Sequence, residues 1–379
     1  MFDAIDRQNT HAIKIDRYRD QDVIPLWVAD MDLATAPVVQ QALNNRMAHP
    51  VYGYTHPWPE LNRAVVDWCA REYDWAIEPD WIVWLPGVVP SFNLAIQAFA
   101  SGGRVIVQEP NYPPLRHAPA HRGAVPVRLP VVFDGERWIW DWAHLESELA
   151  DPNCHLMILC NPMNPHGTVL TADDLERLGA LCEQHEVVLC SDEIHCDLRL
   201  DPECQHVPAG RVPTLSANSL TLMAASKTFN VAGLGCSFAI IPDADLRLRF
   251  QAVGRDLVPH PNFLGYCAAE AAFRDGKDWL VALRGHLRAN REHVAQVFNS
   301  LPGLRYRPQP ATFLAWIESD LEVGAAMRHF VKAGLMPSDG KEFGDPTAVR
   351  LNFGTDRSTL ERALTQLEAY WRQKMPSSS

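Results

Sequence analysis

Short apolar runs closed by polar residues recur through the middle of the chain, with amphipathic stretches between them. Residues 104–108, 155–160, 187–190 and 219–223 are apolar runs of strand length and predict buried strands. Between two of them, Thr171 to about His185 repeats apolar residues at helical spacing. Thr171 predicts the N-cap there, and Asp174 completes a capping-box-like pattern. Strands alternating with helices predict a mostly parallel sheet covered on both faces. The ends read differently. Residues 1–45 carry an irregular segment containing Pro and Asp, then a helix from about Pro37. Amphipathic helices are predicted over 264–275 and 278–300, followed by α+β segments around Phe313–Ile317 and Val349–Phe353. The pattern predicts an α/β domain over 46–264 and a smaller α+β domain over 265–379. The arm 1–45 contributes part of the smaller one.

Composition narrows the function classes. At 379 residues the chain has room for two or three domains and for a large core without disulfide or metal staples. Against 46 Asp+Glu stand only 34 Lys+Arg, a net charge of −12, which argues against a general nucleic-acid surface. No apolar run is long enough to cross a bilayer. The first six residues lack the basic and apolar regions of a secretion signal, so a cytoplasmic protein is expected. The nine cysteines are odd in number and contain no Cys-x-x-Cys pair. They predict free, mostly buried thiols in a reducing compartment, with no metal site. The Ser-rich tail at 376–379 is expected to be disordered.

Candidate chemistry gathers where the predicted strands end, the place where ligands of open α/β sheets bind. The strand at 155–160 runs into Asn161-Pro-Met-Asn164-Pro-His-Gly167. The strand at 187–190 runs into Ser191-Asp192-Glu193-Ile194-His195, and that at 219–223 into Ala224-Ala-Ser226-Lys227. Upstream, Gly87-Val88-Val89-Pro90 opens an apolar helix whose first N–H groups can hold a phosphate. Lys227 lies in a weakly polar run, where desolvation would lower its pKa and make it a better nucleophile and base. Pyridoxal phosphate needs a Schiff-base lysine, an acid beside the ring nitrogen, a donor to the ring hydroxyl and a phosphate cradle. Lys227, Asp192, Asn164 and the Gly87–Ser91 turn offer these four.

The order Asn-Pro-x-Asn-Pro-x-Gly, Ser-Asp-Glu-x-His, Ser-Lys-Thr-Phe-Asn-x-Ala-Gly-Leu resembles fold type I pyridoxal-phosphate enzymes. Within them it is similar to the cystathionine β-lyase/cystalysin branch of carbon–sulfur lyases, related to class I and II aminotransferases. The segment Ile24-Pro-Leu-Trp27-Val-Ala-Asp30-Met-Asp32 is similar to that branch's N-terminal signature. Further similarities are Tyr112-Pro-Pro114, Pro261-Asn262-Phe263 and Arg350-Leu-Asn352-Phe353. The resemblance implies an aspartate aminotransferase-like large domain with a seven-stranded-type sheet, plus a smaller α+β domain. It implies β-elimination from cystathionine or related cysteine S-conjugates, giving a thiol, pyruvate and ammonia. It implies that Lys227 forms the Schiff base, Asp192 pairs with the ring nitrogen, and Asn164 bonds the ring hydroxyl and helps seat the substrate. Tyr112 would stack on the ring and assist the leaving sulfur. Arg350 would clamp the substrate α-carboxylate. Tyr54, with Tyr52 competing for the role, would reach the phosphate of a neighbouring subunit, which makes the expected unit a homodimer with shared sites.

Three positions depart from many aminotransferases. Position 235 is glycine where an arginine often holds the phosphate, and Ala224 stands where Ser or Thr is common. The phosphate then depends on backbone N–H groups near Gly87, Val88 and Val89, and on Ser226. His195 stands where a tyrosine often approaches the ring hydroxyl. An aminotransferase shares all these residues and is the alternative; a regulatory protein on the same fold is a second.

Overall fold

The computed structural model describes residues 2–374; the 376–379 tail lies outside them. Its centre is an eight-stranded sheet. From edge to edge the strands are Ile82–Leu85, Ser237–Ile240, Ser219–Met223, Val188–Asp192, Cys154–Cys160, Arg104–Glu109, Val125–Phe133 and Trp138–Trp140. Four neighbouring pairs, from Ser219–Met223 across to Val125–Phe133, run parallel. Ser237–Ile240 and the edge strand Trp138–Trp140 run against their neighbours. Strands covered on both faces are apolar at every position yet still alternate in side-chain direction. Val105, Val107, Leu156 and Ile158 join one core, which includes Phe92 and Phe250. Ile106, Met157 and Leu159 join the opposite core, with Leu175 and Leu178.

The expected helix is Ala172–Gln184, capped by Thr171 with both capping-box bonds to Asp174 present. The predicted sheet had seven strands and the structure has eight. The eighth arises at a turn where the Asp134 carboxylate accepts the N–H groups of Glu136 and Arg137. Gly135 there has φ +113, and Trp138–Trp140 folds back to pair with Val131–Phe133. The strands at 82–85, 125–133 and 237–240 were also unassigned from the sequence, being short or interrupted by Pro and polar residues.

Toward the C-terminus, Phe263–Asp275, Lys277–Phe298 and Arg357–Lys374 are helices, and a four-stranded antiparallel sheet holds Leu314–Ser319 and Val349–Asn352. The N-terminal arm packs here. Ile24–Pro25 pairs parallel with Leu335–Met336, and Leu26, Met31 and Leu33 enter the core shared with Leu283, Phe313 and Leu351. All nine cysteines are free, six of them buried. Among the described residues, no helix is long and apolar enough to cross a membrane.

Candidate active site

Parallel strands all end on the same side of a sheet, so the loops that follow them converge. Here they converge on a cavity of about 310 Å³. Its wall contains Asn164, Asp192, His195, Ser226, Lys227 and Tyr112, together with the turn Gly87–Val88–Val89. Residues far apart in sequence are thus neighbours because each closes a strand of one sheet.

Lys227 sits in the short helix Ala225–Thr228, directly after Ser219–Met223. Its Nζ donates to the Ala29 carbonyl at 2.7 Å. Burial, helped by the Arg350 charge, brings the amine down to about 8 from an ordinary 10.5, while Asp30 and Asp192 oppose the shift. Asp192 is the last residue of Val188–Asp192, and its carboxylate accepts the Ile194 N–H at 3.2 Å. Burial pushes this carboxyl up to about 7. A cation placed in the cavity beside it would draw it back down. The next residue anchors the strand end from behind. Glu193 accepts from Ser191 Oγ and Ala209 N, both at 2.8 Å, and lies 2.6 Å from His206 Nε2. Asp197 ties the lysine helix to the floor, accepting from Thr228 Oγ1 and Trp68 Nε1 at 3.0 Å each, and from the Tyr73 hydroxyl.

Arg350, on the strand Val349–Asn352, is 4% exposed. It donates to Asn164 Oδ1 at 3.0 Å, to the Trp27 carbonyl at 2.7 Å and to Ser338 Oγ at 3.3 Å. Its guanidinium lies 4.6 Å from the centre of the Phe343 ring, and its Nε has no hydrogen-bond partner among the described residues. A buried guanidinium with a free donor in a nearly uncompensated setting is a receptor for a carboxylate. Burial lowers it to about 10, so it stays charged at neutral pH.

Gly87 is the N-cap of the helix Val88–Phe99. The first N–H groups of a helix lack intrahelical partners, and Pro90 has none to offer, so Val88 and Val89 supply the free donors at the cavity wall. Ser226 borders the same wall, as does Gly235, whose left-handed φ of +56 closes a short turn after Lys227. Tyr112 caps the helix Pro113–His121. Its phenol pKa is raised by burial and by the Asp192 charge. His195 is buried with Nδ1 unpaired, and burial with the neighbouring Lys227 and Arg350 charges lowers it to about 3. It is therefore a neutral imidazole at physiological pH.

Tyr54 is not brought to this cavity. It is fully exposed on an extended segment, while Tyr52 stacks on Phe263 with ring centres 5.8 Å apart. Sequence reasoning missed the backbone of residues 27–33, whose carbonyls accept from Arg350 and Lys227. The segment was visible as a similarity, but carbonyl chemistry leaves no side-chain signature.

An amine, a carboxylate, an amide, an aromatic ring and a helix N-terminus around one cavity form the donor set that pyridoxal phosphate asks for. The model of the family described as aminotransferase class I and II matches residues 21–367. A cystathionine β-lyase of Bacillus subtilis (strain 168), PatB, is 35% identical, with 96% of this chain and 97% of that protein covered. The crystal structure of OvoB superposes with a TM-score of 0.95 at 38% identity, covering 100% of this chain and 99% of that one. Cystalysin from Treponema denticola, whose crystal structure contains pyridoxal 5'-phosphate, gives 0.94 at 28% identity, with coverage of 99% and 100%.

Proposed function

The chain belongs to the class I and II aminotransferase family, and from that premise we propose that it is a pyridoxal-phosphate-dependent carbon–sulfur lyase. It cleaves cystathionine or related cysteine S-conjugates with water to a thiol, pyruvate and ammonia. The observation that supports this best is the pair Lys227 and Asp192 on one cavity wall, in a chain aligned along nearly all its length with a cystathionine β-lyase.

When bound, pyridoxal phosphate supplies a carbonyl that condenses with amines and a cationic ring that withdraws electrons from the substrate Cα. Asp192 would face the ring nitrogen, Asn164 and His195 the ring hydroxyl, and Tyr112 one ring face. The Val88 and Val89 N–H groups and Ser226 would take the phosphate, in place of an arginine at 235. Arg350 would bind the substrate α-carboxylate. Lys227, which burial makes readier to lose its proton than an exposed lysine, would as free amine take the proton from Cα. Tyr112, kept protonated by burial, lines the cavity and would deliver its phenolic proton to the departing sulfur. The working unit is a two-fold dimer in which Tyr54 reaches the partner's phosphate. Residues 46–264 form the large domain, and 265–379 with the arm 1–45 the small one. A reducing cytoplasm suits nine free thiols and a thiol product.

The test is stoichiometry. With cystathionine and no added keto acid, the protein should release homocysteine, pyruvate and ammonia in equal amounts over many turnovers. Stalling after one turnover, rescued by a keto acid, would replace the lyase reading by an aminotransferase. Separately, borohydride reduction of the loaded protein should place phosphopyridoxyl on Lys227. A label on another lysine would overturn the site.

A further inference from the structure

The run Trp27–Leu33 lies beside the site as an irregular strap that places Ala29 in the cavity wall, and its carbonyls are taken by side chains from two directions. Asn352, on the C-terminal strand, donates Nδ2 to the Val28 carbonyl at 2.6 Å and to the Asp30 carbonyl at 2.7 Å. Asn230, three residues after Lys227, donates Nδ2 to the Met31 and Leu33 carbonyls at 2.9 and 2.8 Å. Its Oδ1 accepts the Met31 N–H at 3.0 Å, so its amide is used at both ends. The Ala29 carbonyl, between the two carbonyls held by Asn352, is the one that receives Lys227 Nζ.

The strap is also pinned by charge. Lys14, wholly buried, pairs with Asp32 at 2.7 Å, and Arg7 bridges Asp30 and Asp32 at 2.6 and 2.7 Å. An amide that bridges two carbonyls two residues apart fixes the orientation of the peptide between them, because each buried carbonyl must keep its donor. Asn352 therefore sets the direction of the Ala29 carbonyl, and Asn230 fixes the strap just beyond it.

We propose that Asn230 and Asn352 are positioning residues for the reaction: they hold the Ala29 carbonyl as the docking point of the free Lys227 amine. The amine then comes to rest at one place whenever it is unbonded, aimed into the cavity, instead of sampling the rotamers of a long side chain. The inference rests on the proposed role of Lys227, but its test does not need turnover.

In cofactor-free protein, the ionisation of Lys227 is measured by competitive acetylation across pH, with peptide mass analysis. The charged and titratable groups around that amine are Asp30 on the strap, Asp192 and His195 after their strand, Arg350, and Tyr112, Cys160 and Cys236 at the cavity wall. None of them is altered. Asn352→Ala and Asn230→Gly are both uncharged, and glycine suits the left-handed φ of +56 at residue 230. A carbonyl acceptor favours the ammonium, so losing its alignment should move the midpoint to lower pH. The rate at pH 7 should rise severalfold, by about fivefold for a midpoint that falls by one pH unit from about 8. Val39→Ala removes a buried apolar side chain from the following helix but takes no hydrogen bond from the strap, and should leave the midpoint in place. If Asn352→Ala fails to fold, Asn230→Gly decides alone. An unchanged midpoint, a shift to higher pH, or an equal shift in Val39→Ala would overturn the proposal. The borohydride label on Lys227 in the loaded wild-type protein reports independently on the function reading.

Discussion

Asp192 and Lys227 carry opposite consequences of the same burial. Folding keeps a proton on Asp192 that the unfolded chain gives up near 3.8, since its pKa is raised to about 7. The stability this contributes is fully present below about pH 4 and is lost as pH rises through about 7. Lys227 is lowered from 10.5 to about 8, so its contribution is present above 10.5 and lost as pH falls through 8. Without cofactor, Asp192→Asn should gain on the wild type in urea midpoint as pH rises, with a larger lead at pH 8 than at pH 4.5. A gap between the two that is independent of pH would mean that the carboxyl is not desolvated. The same substitution in loaded protein should remove most α-proton exchange, since the ring nitrogen loses its anion. The residue types of this site were legible in the sequence because each closes an apolar strand. The Ala29 carbonyl and the neutral state of His195 were not, because both depend on what lies across the cavity.

Elements were legible where local signals agreed. Thr171 and Asp174 announced a helix start, and both reciprocal bonds are present. Thr171→Ala should cost about 1 kcal/mol, read as a lower urea midpoint at unchanged slope. Arg137 also pairs with Asp174, so Asp174→Ala should cost more, losing the cap and the ion pair together. Equal losses for the two variants would show that the ion pair adds nothing to stability. The strand Trp138–Trp140 escaped the sequence reading because three residues carry no measurable periodicity. Its place is set by a turn and by ring packing: Trp138 stacks on buried His166 with ring centres 4.0 Å apart, and His166 in turn meets Trp316.

At the scale of the whole molecule, Tyr54 is the residue that one chain leaves unexplained. It is fully exposed, on a segment that also exposes Val51 and Tyr52, whereas Lys227 and Asp192 need nothing further to face each other's cavity. A shared site predicts complementation. Inactive Lys227→Ala chains mixed with inactive Tyr54→Phe chains should recover part of the activity, up to about a quarter of the sites if exchange is random and each mixed dimer restores one of its two sites. No recovery after subunit exchange has been demonstrated by mass analysis would mean that each site is built from a single chain.

The sequence by itself determined the layered α/β plan and the main helices, since apolar period and caps are local properties of the chain. It also determined which side chains close the strands, and so the chemistry available to the site. Only the tertiary structure decided the edge strand at Trp138, the path of residues 27–33 beside the cavity, and the partners of Arg350. The last two rest on contacts between positions some 200 to 320 residues apart, such as Lys227 with Ala29 and Arg350 with Trp27. A backbone carbonyl looks the same at every position in a sequence, and only folding says which one an amine will meet.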